Sequence, residues 1–191
     1  MSEMERGDLI ERPDARPKVH GQPTAVYHFS EDSTLRRFAP HVPPSNPSHP
    51  PAVWAVDDDH APLYLFPRAV PRISVWAYDD AQQAVLTERF ATEAHRICAA
   101  EQVWLDEIRS ARIYRYTFDA TQFEPWHHAD GQYIASDIVY PEEIEVIDDL
   151  FWALCEAAVE LRLTPRLGSL MDAILESGLP FGFVRIRDAQ R

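Results

Sequence analysis

His28 is the histidine best placed for chemistry in this sequence, because it lies in an apolar run between Tyr27 and Phe29. Ser30 and Glu31 follow at once, so the run predicts a strand that ends shortly after the histidine. Histidine changes charge near neutral pH, and at a strand end it could shuttle a proton or hold a ligand hydroxyl. The alternative is a strand histidine bonded to a neighbouring backbone group. We expect His28 to be the catalytic residue of any enzymatic activity.

Arginine side chains form a second set of candidates. Lys18 is the only lysine, so nearly every cation is a planar guanidinium group, which suits carboxylates and phosphates. If several arginines converge, they form a compact anion pocket; otherwise each pairs with a carboxylate or with water. Aromatic side chains between them would hold a flat ligand, unless they belong to the core. Arginines fall in or beside predicted strands at Arg68, Arg72, Arg115, Arg185 and Arg187.

Together these two sets predict one pocket around His28. It would bind a small, nucleotide-like or phosphorylated molecule, with NAD as a candidate cofactor. The predicted ligand-binding residues are Tyr27, Tyr64, Arg68, Trp76 and Arg115.

Histidines are frequent enough to raise the question of a metal site, since there are eight in the chain. His127 and His128 are adjacent and precede Asp130, but neighbours on an extended segment point to opposite sides. At most one of them would therefore join Asp130 around an ion, and no HExxH or CxxC motif is present. We assign no metal-ligating residues. The histidines expected to be exposed beside the proline-rich segment are His41, His49 and His60.

Composition limits the range of functions. The chain has 191 residues, 46% of them hydrophobic, which is typical of one globular domain and excludes a wholly disordered protein. A formal net charge of −13 argues against non-specific binding to nucleic acid or to an anionic membrane. No P-loop, GxGxxG or nucleophile-elbow motif occurs, so classical nucleotide-binding folds are not expected.

The same composition predicts a cytoplasmic location. The first residues lack the apolar run of a signal peptide, and no segment is apolar over the length of a membrane span. Cys98 and Cys155 both lie in apolar segments and are interpreted as two buried, reduced thiols rather than a disulfide.

A single α+β domain over residues 25–191 would position these candidates, preceded by a flexible tail over residues 1–24. The proline-rich stretch over 40–51 indicates a stiff surface loop, with an interdomain linker as the alternative. Short helical turns are expected after Ser30 and after Asp59. Strands are predicted over 25–30, 52–56, 72–78, 112–118, 132–137, 143–147 and 181–187, and helices over 79–90, 100–110, 150–161 and from 165 onward. The expected architecture is a mixed, mainly antiparallel sheet with two C-terminal helices packed on it.

From Tyr27 onward most of the chain resembles an uncharacterised bacterial domain family. The segments that carry the resemblance are Tyr27-His28-Phe29-Ser30-Glu31, Val53-Trp54-Ala55, Leu63-Tyr64-Leu65-Phe66-Pro67-Arg68 and Ile186-Arg187-Asp188-Ala189. The family implies no particular activity.

More remotely, the layout is similar to ADP-ribosyltransferase-type folds, which include RNA 2′-phosphotransferases. That resemblance implies a strand histidine, here His28, that binds the ribose of NAD. It implies an aromatic residue on a later strand, here Tyr64 or Trp76, and a third position at Glu142 or Glu143.

Three functions follow from this reading. The first is a cytoplasmic protein that binds a nucleotide-like or phosphorylated ligand and acts as a group transferase. The second is a non-enzymatic binding or protein-interaction module that uses the proline-rich loop and the aromatic residues. The third, ranked last, is a metal-dependent hydrolase built on His127, His128 and Asp130.

Overall fold

The computed structural model of the protein describes residues 23–43 and 47–190. The tail predicted over residues 1–24 therefore lies almost wholly outside the described residues. The strands are β1 (Ala25–Ser30), β2 (Val53–Val56), β3 (Arg72–Trp76), β4 (Arg96–Glu101), β5 (Ile113–Asp119), β6 (Glu124–Pro125), β7 (Gln132–Ala135), β8 (Glu143–Ile147), β9 (Glu160–Thr164) and β10 (Phe181–Val184). The α-helices are α1 (Asp80–Phe90), α2 (Leu105–Ser110), α3 (Leu150–Glu156) and α4 (Gly168–Ser177).

The strands form two sheets. In the first sheet the order is β6-β7-β2-β1-β5-β8, and every neighbouring pair is antiparallel. In the second the order is β10-β3-β4-β9, and only β4 and β9 run parallel. The prediction of an α+β domain with mainly antiparallel pairing is thus confirmed, with the strands divided between two sheets.

Alternation along β1 gives the first sheet two different faces. On its outer face Val26 and His28 lie beside Phe118 and Tyr116 of β5, and Phe38 covers them. The ring centroid of Phe38 lies 5.1 Å from the rings of His28, Tyr116 and Phe118. The inner face carries Tyr27, Phe29 and Arg115 and is turned toward the second sheet.

The second sheet is covered on both faces. Ile73 and Val75 point toward α1 and α4, where they pack with Leu86 and Ile174. The opposite side, which carries Trp76 and Cys98, faces the first sheet. Two hydrophobic layers therefore hold the second sheet between the helices and the first sheet.

Two predicted helices are partly wrong. The apolar period from Leu150 to Leu161 suits a helix, but α3 ends at Glu156 and Ala158 adopts a φ of 50°. Leu161 belongs to β9, because this segment pairs with the buried strand β4. The helix predicted from residue 100 begins only at Leu105, since every residue of β4 is buried and alternation is lost.

Smaller differences have local causes. Arg187 is not on a strand, because β10 ends at Val184 and Arg185 turns the chain with a φ of 53°. No helix forms after Ser30; instead the Asp32 carboxylate accepts from the Thr34 backbone N–H at 2.8 Å. Cys155 is exposed, so only Cys98 is a buried thiol, and both are free. Within residues 23–43 and 47–190 no helix has the length and apolarity needed to cross a bilayer.

Packing between α4 and the second sheet should dominate stability on this side of the domain. Ile174 is 1% exposed, whereas its neighbour Leu175 is 53% exposed. Ile174→Ala is expected to lower the free energy of unfolding by about 2–5 kcal/mol, because it leaves a cavity. Leu175→Ala, the matched control, should change it by no more than about 0.5 kcal/mol. Urea denaturation measures both, and equal losses would contradict the packing described here.

Candidate functional site

His28 is fixed in one tautomer by the neighbouring strand. Its Nδ1 lies 2.8 Å from the carbonyl oxygen of Trp54 on β2, so Nδ1 carries the proton and donates. Nε2 is then left with a lone pair. The ring is part-exposed, and among the described residues no group hydrogen-bonds to Nε2. His28 therefore presents an acceptor that the protein itself does not use.

The surroundings of His28 keep the ring neutral. Burial lowers the pKa of His28 below its usual 6.5, and the cation of Arg68 and the nearby His41 lower it further. The hydrogen bond to Trp54 opposes this shift without reversing it. At neutral pH the side chain is an uncharged acceptor.

Arg68 supplies a positive charge beside this acceptor. It follows the buried Pro67 and is exposed, and within the described part of the chain its guanidinium group forms no ion pair or hydrogen bond. The charge of Arg68 is one of the causes that lower the pKa of His28, after burial of the ring. Together, His28 and Arg68 are called the His28 site below.

The other predicted ligand residues lie on the inner face of the first sheet or are packed on that side of it, away from the ring of His28. Arg115 lies over the ring of Tyr27 at 5.1 Å and pairs with Glu145 of β8. Tyr64 stacks on Phe29 with a centroid distance of 6.2 Å and accepts a hydrogen bond from Gln132. Trp76 and Glu143 also lie on this side, so none of these residues is on the face of the first sheet that carries His28.

A second constellation, which the sequence did not predict, surrounds His60. This histidine was expected to be exposed but is 4% exposed. Its Nδ1–H donates to Oδ1 of Asp57 at 2.7 Å, and its Nε2 lies 2.9 Å from the hydroxyl oxygen of Tyr78. The Tyr78 oxygen lies 3.5 Å from Oδ2 of Asp130. The chain of Asp57, His60 and Tyr78 is called the His60 relay below.

The local sequence explains why this relay forms. Asp57 ends β2, and its carboxylate also accepts from the backbone N–H of His60 at 2.9 Å, starting the 3-10 turn at Ala61–Tyr64. The predicted cap by Asp59 does not form: His60 is the N-cap residue, without a side-chain cap, and Asp57 binds the backbone just before the turn. Gly131 covers the imidazole with a φ of 70°, and a Cβ there would lie 2.0 Å from Nδ1 of His60.

Two buried donors adjoin the relay. Trp76 lies edge-on to His60 at 5.4 Å and is paired in register with Arg96 of β4. Arg96 donates through Nη2 to the carbonyl of Asp59. Among the described residues nothing accepts from Nε of Arg96, and the side chain of Trp76 faces the hydroxyl of Tyr78. Burial, with the carboxylates of Asp130 and Asp57, raises the pKa of Tyr78 to about 12, so its hydroxyl stays protonated.

The sequence contains a pattern that agrees with the relay, but the pattern is too common to predict it. Asp57 and His60 are spaced three residues apart just after a strand, and Tyr78 lies just beyond another strand. Only the approach of β2 to β3, which belong to different sheets, places Tyr78 against His60.

The residues proposed as metal ligands contact other side chains instead. The ring of His128 contacts Trp126 at 4.9 Å, and Asp130 is directed toward Tyr78. In the described ranges no three His, Cys, Asp or Glu side chains are grouped so that they could hold a metal ion.

Comparison with family profiles identifies the family to which the chain belongs. Residues 27–189 match the profile of a family described as a family of unknown function, DUF6886. No curated protein and no solved structure is significantly similar to the chain. The resemblance to an uncharacterised family is therefore confirmed, whereas the likeness to ADP-ribosyltransferases gains no support.

Because Gly131 packs directly over His60, its replacement by alanine should destabilise the protein more than the same replacement at Gly178. Gly178 has nearly the same φ, 72°, but open space around it. Gly178→Ala should lower the free energy of unfolding by about 1–2 kcal/mol, the backbone cost alone. Gly131→Ala should lower it by about 3 kcal/mol or more, because the added methyl group displaces an imidazole held at both nitrogens. Chemical denaturation of the two variants would contradict the packing of His60 if their losses were equal.

The lowered pKa of His28 predicts how stability depends on pH. The unfolded chain protonates at the usual 6.5 and the folded chain only below it, so the unfolded state binds more protons in this range. The stability that the neutral ring contributes is complete above pH 6.5 and is lost as the pH falls from there through the lower pKa of the folded state. His28→Gln should therefore lose less stability than wild type between pH 7 and pH 5, as measured by urea denaturation. The exposed His127→Gln should follow wild type; a His28→Gln curve parallel to wild type would contradict the assignment.

Proposed function

The chain belongs to the family of unknown function DUF6886, and we propose that it binds a small phosphorylated, sugar-containing ligand at the His28 site. The observation that carries this proposal is an unpartnered, neutral Nε2 of His28 beside the unpaired guanidinium group of Arg68. A neutral imidazole accepts from a hydroxyl, and a guanidinium group binds a phosphate.

The predicted residues lie apart from one another, which limits the part of a ligand that the His28 site can recognise. Tyr27, Tyr64, Trp76 and Arg115 lie on the inner face, so a ligand on His28 does not need them. The ring that lines the His28 site is Phe38, which meets the imidazole edge-on at 5.1 Å. The sugar and phosphate part of a nucleotide is thus the portion recognised, and NAD, ADP-ribose and phosphorylated sugars all contain it.

The net charge supports a small ligand, and the free cysteines support a cytoplasmic location. A net charge of −13 repels long polyanions, whereas a single phosphate meets the local field of Arg68. Two free cysteines are typical of the reducing cytoplasm, which is where we propose that the protein acts.

A protein-interaction module is the second candidate. It is favoured by the edge strand β8, whose Ile144 and Val146 are exposed apolar residues, and by the nearby exposed Tyr140. The proline-rich loop favours it less, because His49 of that loop is stacked on Trp54 at 5.1 Å.

Thermal denaturation with added ligands tests the proposal. Inorganic phosphate, ribose 5-phosphate, ADP-ribose and NAD are added to wild type, Arg68→Ala and His28→Ala. A ligand at one hundred times its Kd stabilises a folded protein by about 2.7 kcal/mol, which raises the Tm of a chain of this size by about 5 °C or more. We expect this shift for at least one phosphorylated sugar, and its loss in both variants.

The matched control is Arg166→Ala, which removes an exposed arginine just before α4. It should retain the full shift. If no phosphorylated sugar stabilises wild type, or if the shift survives Arg68→Ala, the proposed function is wrong. In that case binding of a protein partner that is lost on Val146→Asp would favour the interaction module.

A further inference from the structure

The strand β8 is an open edge of the first sheet. It pairs with β5 on one side, and within the described ranges no strand pairs with it on the other. Its residues 143–146 are all exposed, whereas β9 and β10, the edges of the second sheet, are mostly half-buried. An edge strand directs the backbone N–H and C=O groups of alternate residues outward, where a further strand can pair with them. Since β6, at the opposite edge, has only two residues, β8 is the edge best suited to receive an added strand.

The side chains of β8 divide between two faces of different chemistry. Ile144 and Val146 lie on the outer face, in the row that contains Tyr116, and are 36% and 50% exposed. Glu143 and Glu145 alternate with them and lie on the inner face. An added strand would therefore place alternate side chains beside apolar groups on one face and beside carboxylates on the other.

The charge of this edge selects the partner. Residues 142–149 contain five carboxylates and no lysine or arginine. Glu145 pairs with Arg115, yet its side chain remains 47% exposed, and in the described part of the chain Glu143 forms no ion pair. A cation beside these glutamates would be attracted, whereas like charges on neighbouring strands repel. A second copy of β8 is disfavoured for the same reason, because a symmetric pair brings the glutamates of both copies together on one face.

We propose that β8 binds an extended segment of a partner protein in which lysine or arginine alternates with apolar residues. The segment pairs with the backbone of β8 and extends the first sheet by one strand. Its basic side chains lie beside Glu143 and Glu145, and its apolar side chains cover Ile144 and Val146. The proposal names the partner of the interaction surface considered above and requires no ligand at the His28 site.

The exposed apolar side chains distinguish this role from simple protection of the edge. Charged residues on an edge strand can serve only to prevent pairing with other copies. Protection alone, however, gives no reason for Ile144 and Val146 to stay in contact with water, or for Tyr140, just before the strand, to be 59% exposed. A partner that covers the apolar residues accounts for both features of the strand.

The experiment uses a capped hexapeptide of alternating lysine and valine, with a hexapeptide of alternating glutamate and valine as its charge control. Backbone amide signals of the ¹⁵N-labelled full chain are followed by NMR during titration with each peptide. We expect the lysine peptide, and not the glutamate peptide, to shift the signals of residues 143–147. If the lysine peptide leaves these signals unmoved, or if both peptides shift them equally, the proposal is wrong.

Two methylated forms of the lysine peptide test backbone pairing on the wild-type protein. Successive N–H groups of a strand point to opposite sides, so methylation of the lysine nitrogens and methylation of the valine nitrogens block opposite edges of the peptide. Only one edge can face β8 in the preferred direction of pairing. The affinities of the two forms should therefore differ by about tenfold or more. Binding of both forms with the affinity of the unmethylated peptide would overturn the added strand.

Substitutions on β8 test its two faces. Glu143→Lys should weaken binding of the lysine peptide by about fivefold and allow the glutamate peptide to bind, because the charge is reversed. Glu176→Lys, on the exposed side of α4, should do neither. Val146→Thr keeps the shape of the side chain but not its apolarity, and should weaken binding by about threefold. Val103→Thr, a matched change of a valine that is 64% exposed outside the first sheet, should leave binding unaltered.

Analytical ultracentrifugation separates the proposed partner from a second copy of the chain. We expect wild type to be unaffected in its state of association by Val146→Asp. A wild-type dimer that dissociates in Val146→Asp would overturn the proposal in favour of pairing between copies. No phosphorylated sugar is present in these measurements, so their outcome is separate from that of the ligand test at the His28 site.

Discussion

The buried contact between Asp57 and His60 is the constraint on which the two-sheet arrangement depends. Asp57 donates its backbone N–H to Gly131 at 2.9 Å and its carboxylate accepts from His60 at 2.7 Å. His60 then reaches Tyr78 beyond the end of β3. One short segment therefore joins β2 and the loop before β7 to the second sheet. Polar networks inside a protein hold their geometry only when their members are paired, so Gly131 and Asp57 specify this junction together.

Arg72 is a buried cation in the same layer, and it is stabilised by carbonyl groups and aromatic rings rather than by a carboxylate. Arg72 has no carboxylate partner among the described residues; it donates to the carbonyl oxygens of Leu63 and Val70 at 2.8 and 3.2 Å. Its guanidinium group also lies over the rings of Tyr64 and Phe66. Burial lowers the pKa of Arg72 to about 10, yet the group remains charged at neutral pH. A lysine could not make these planar contacts, which gives the arginine-rich composition a structural use. The net charge of −13 thus conceals positive charge inside the protein.

Local patterns predicted those elements whose residues alternate or carry a cap. β1 and β8 lie where the sequence places them, and α1 begins directly after Asp79, whose side chain accepts from Gln82. β4 could not be found this way, because a strand buried on both faces shows no alternation. The same limit applies to function. His28 stands out within one strand, whereas the His60 relay exists only once separate strands meet.

β2 is only four residues long, yet its backbone and its end determine the protonation of two histidines. The Trp54 carbonyl holds the proton of His28 on Nδ1 on the outer face. Three residues later the Asp57 carboxylate holds the proton of His60 on Nδ1 between the sheets. In His28 this leaves Nε2 as an acceptor, whereas Nε2 of His60 lies 2.9 Å from the hydroxyl oxygen of Tyr78. The charge of Arg68 is among the causes that lower the pKa of His28, whereas His60 is held between a carboxylate and a phenol. A displacement of β2 would therefore disturb both sites at once, and neither histidine can be understood without this strand.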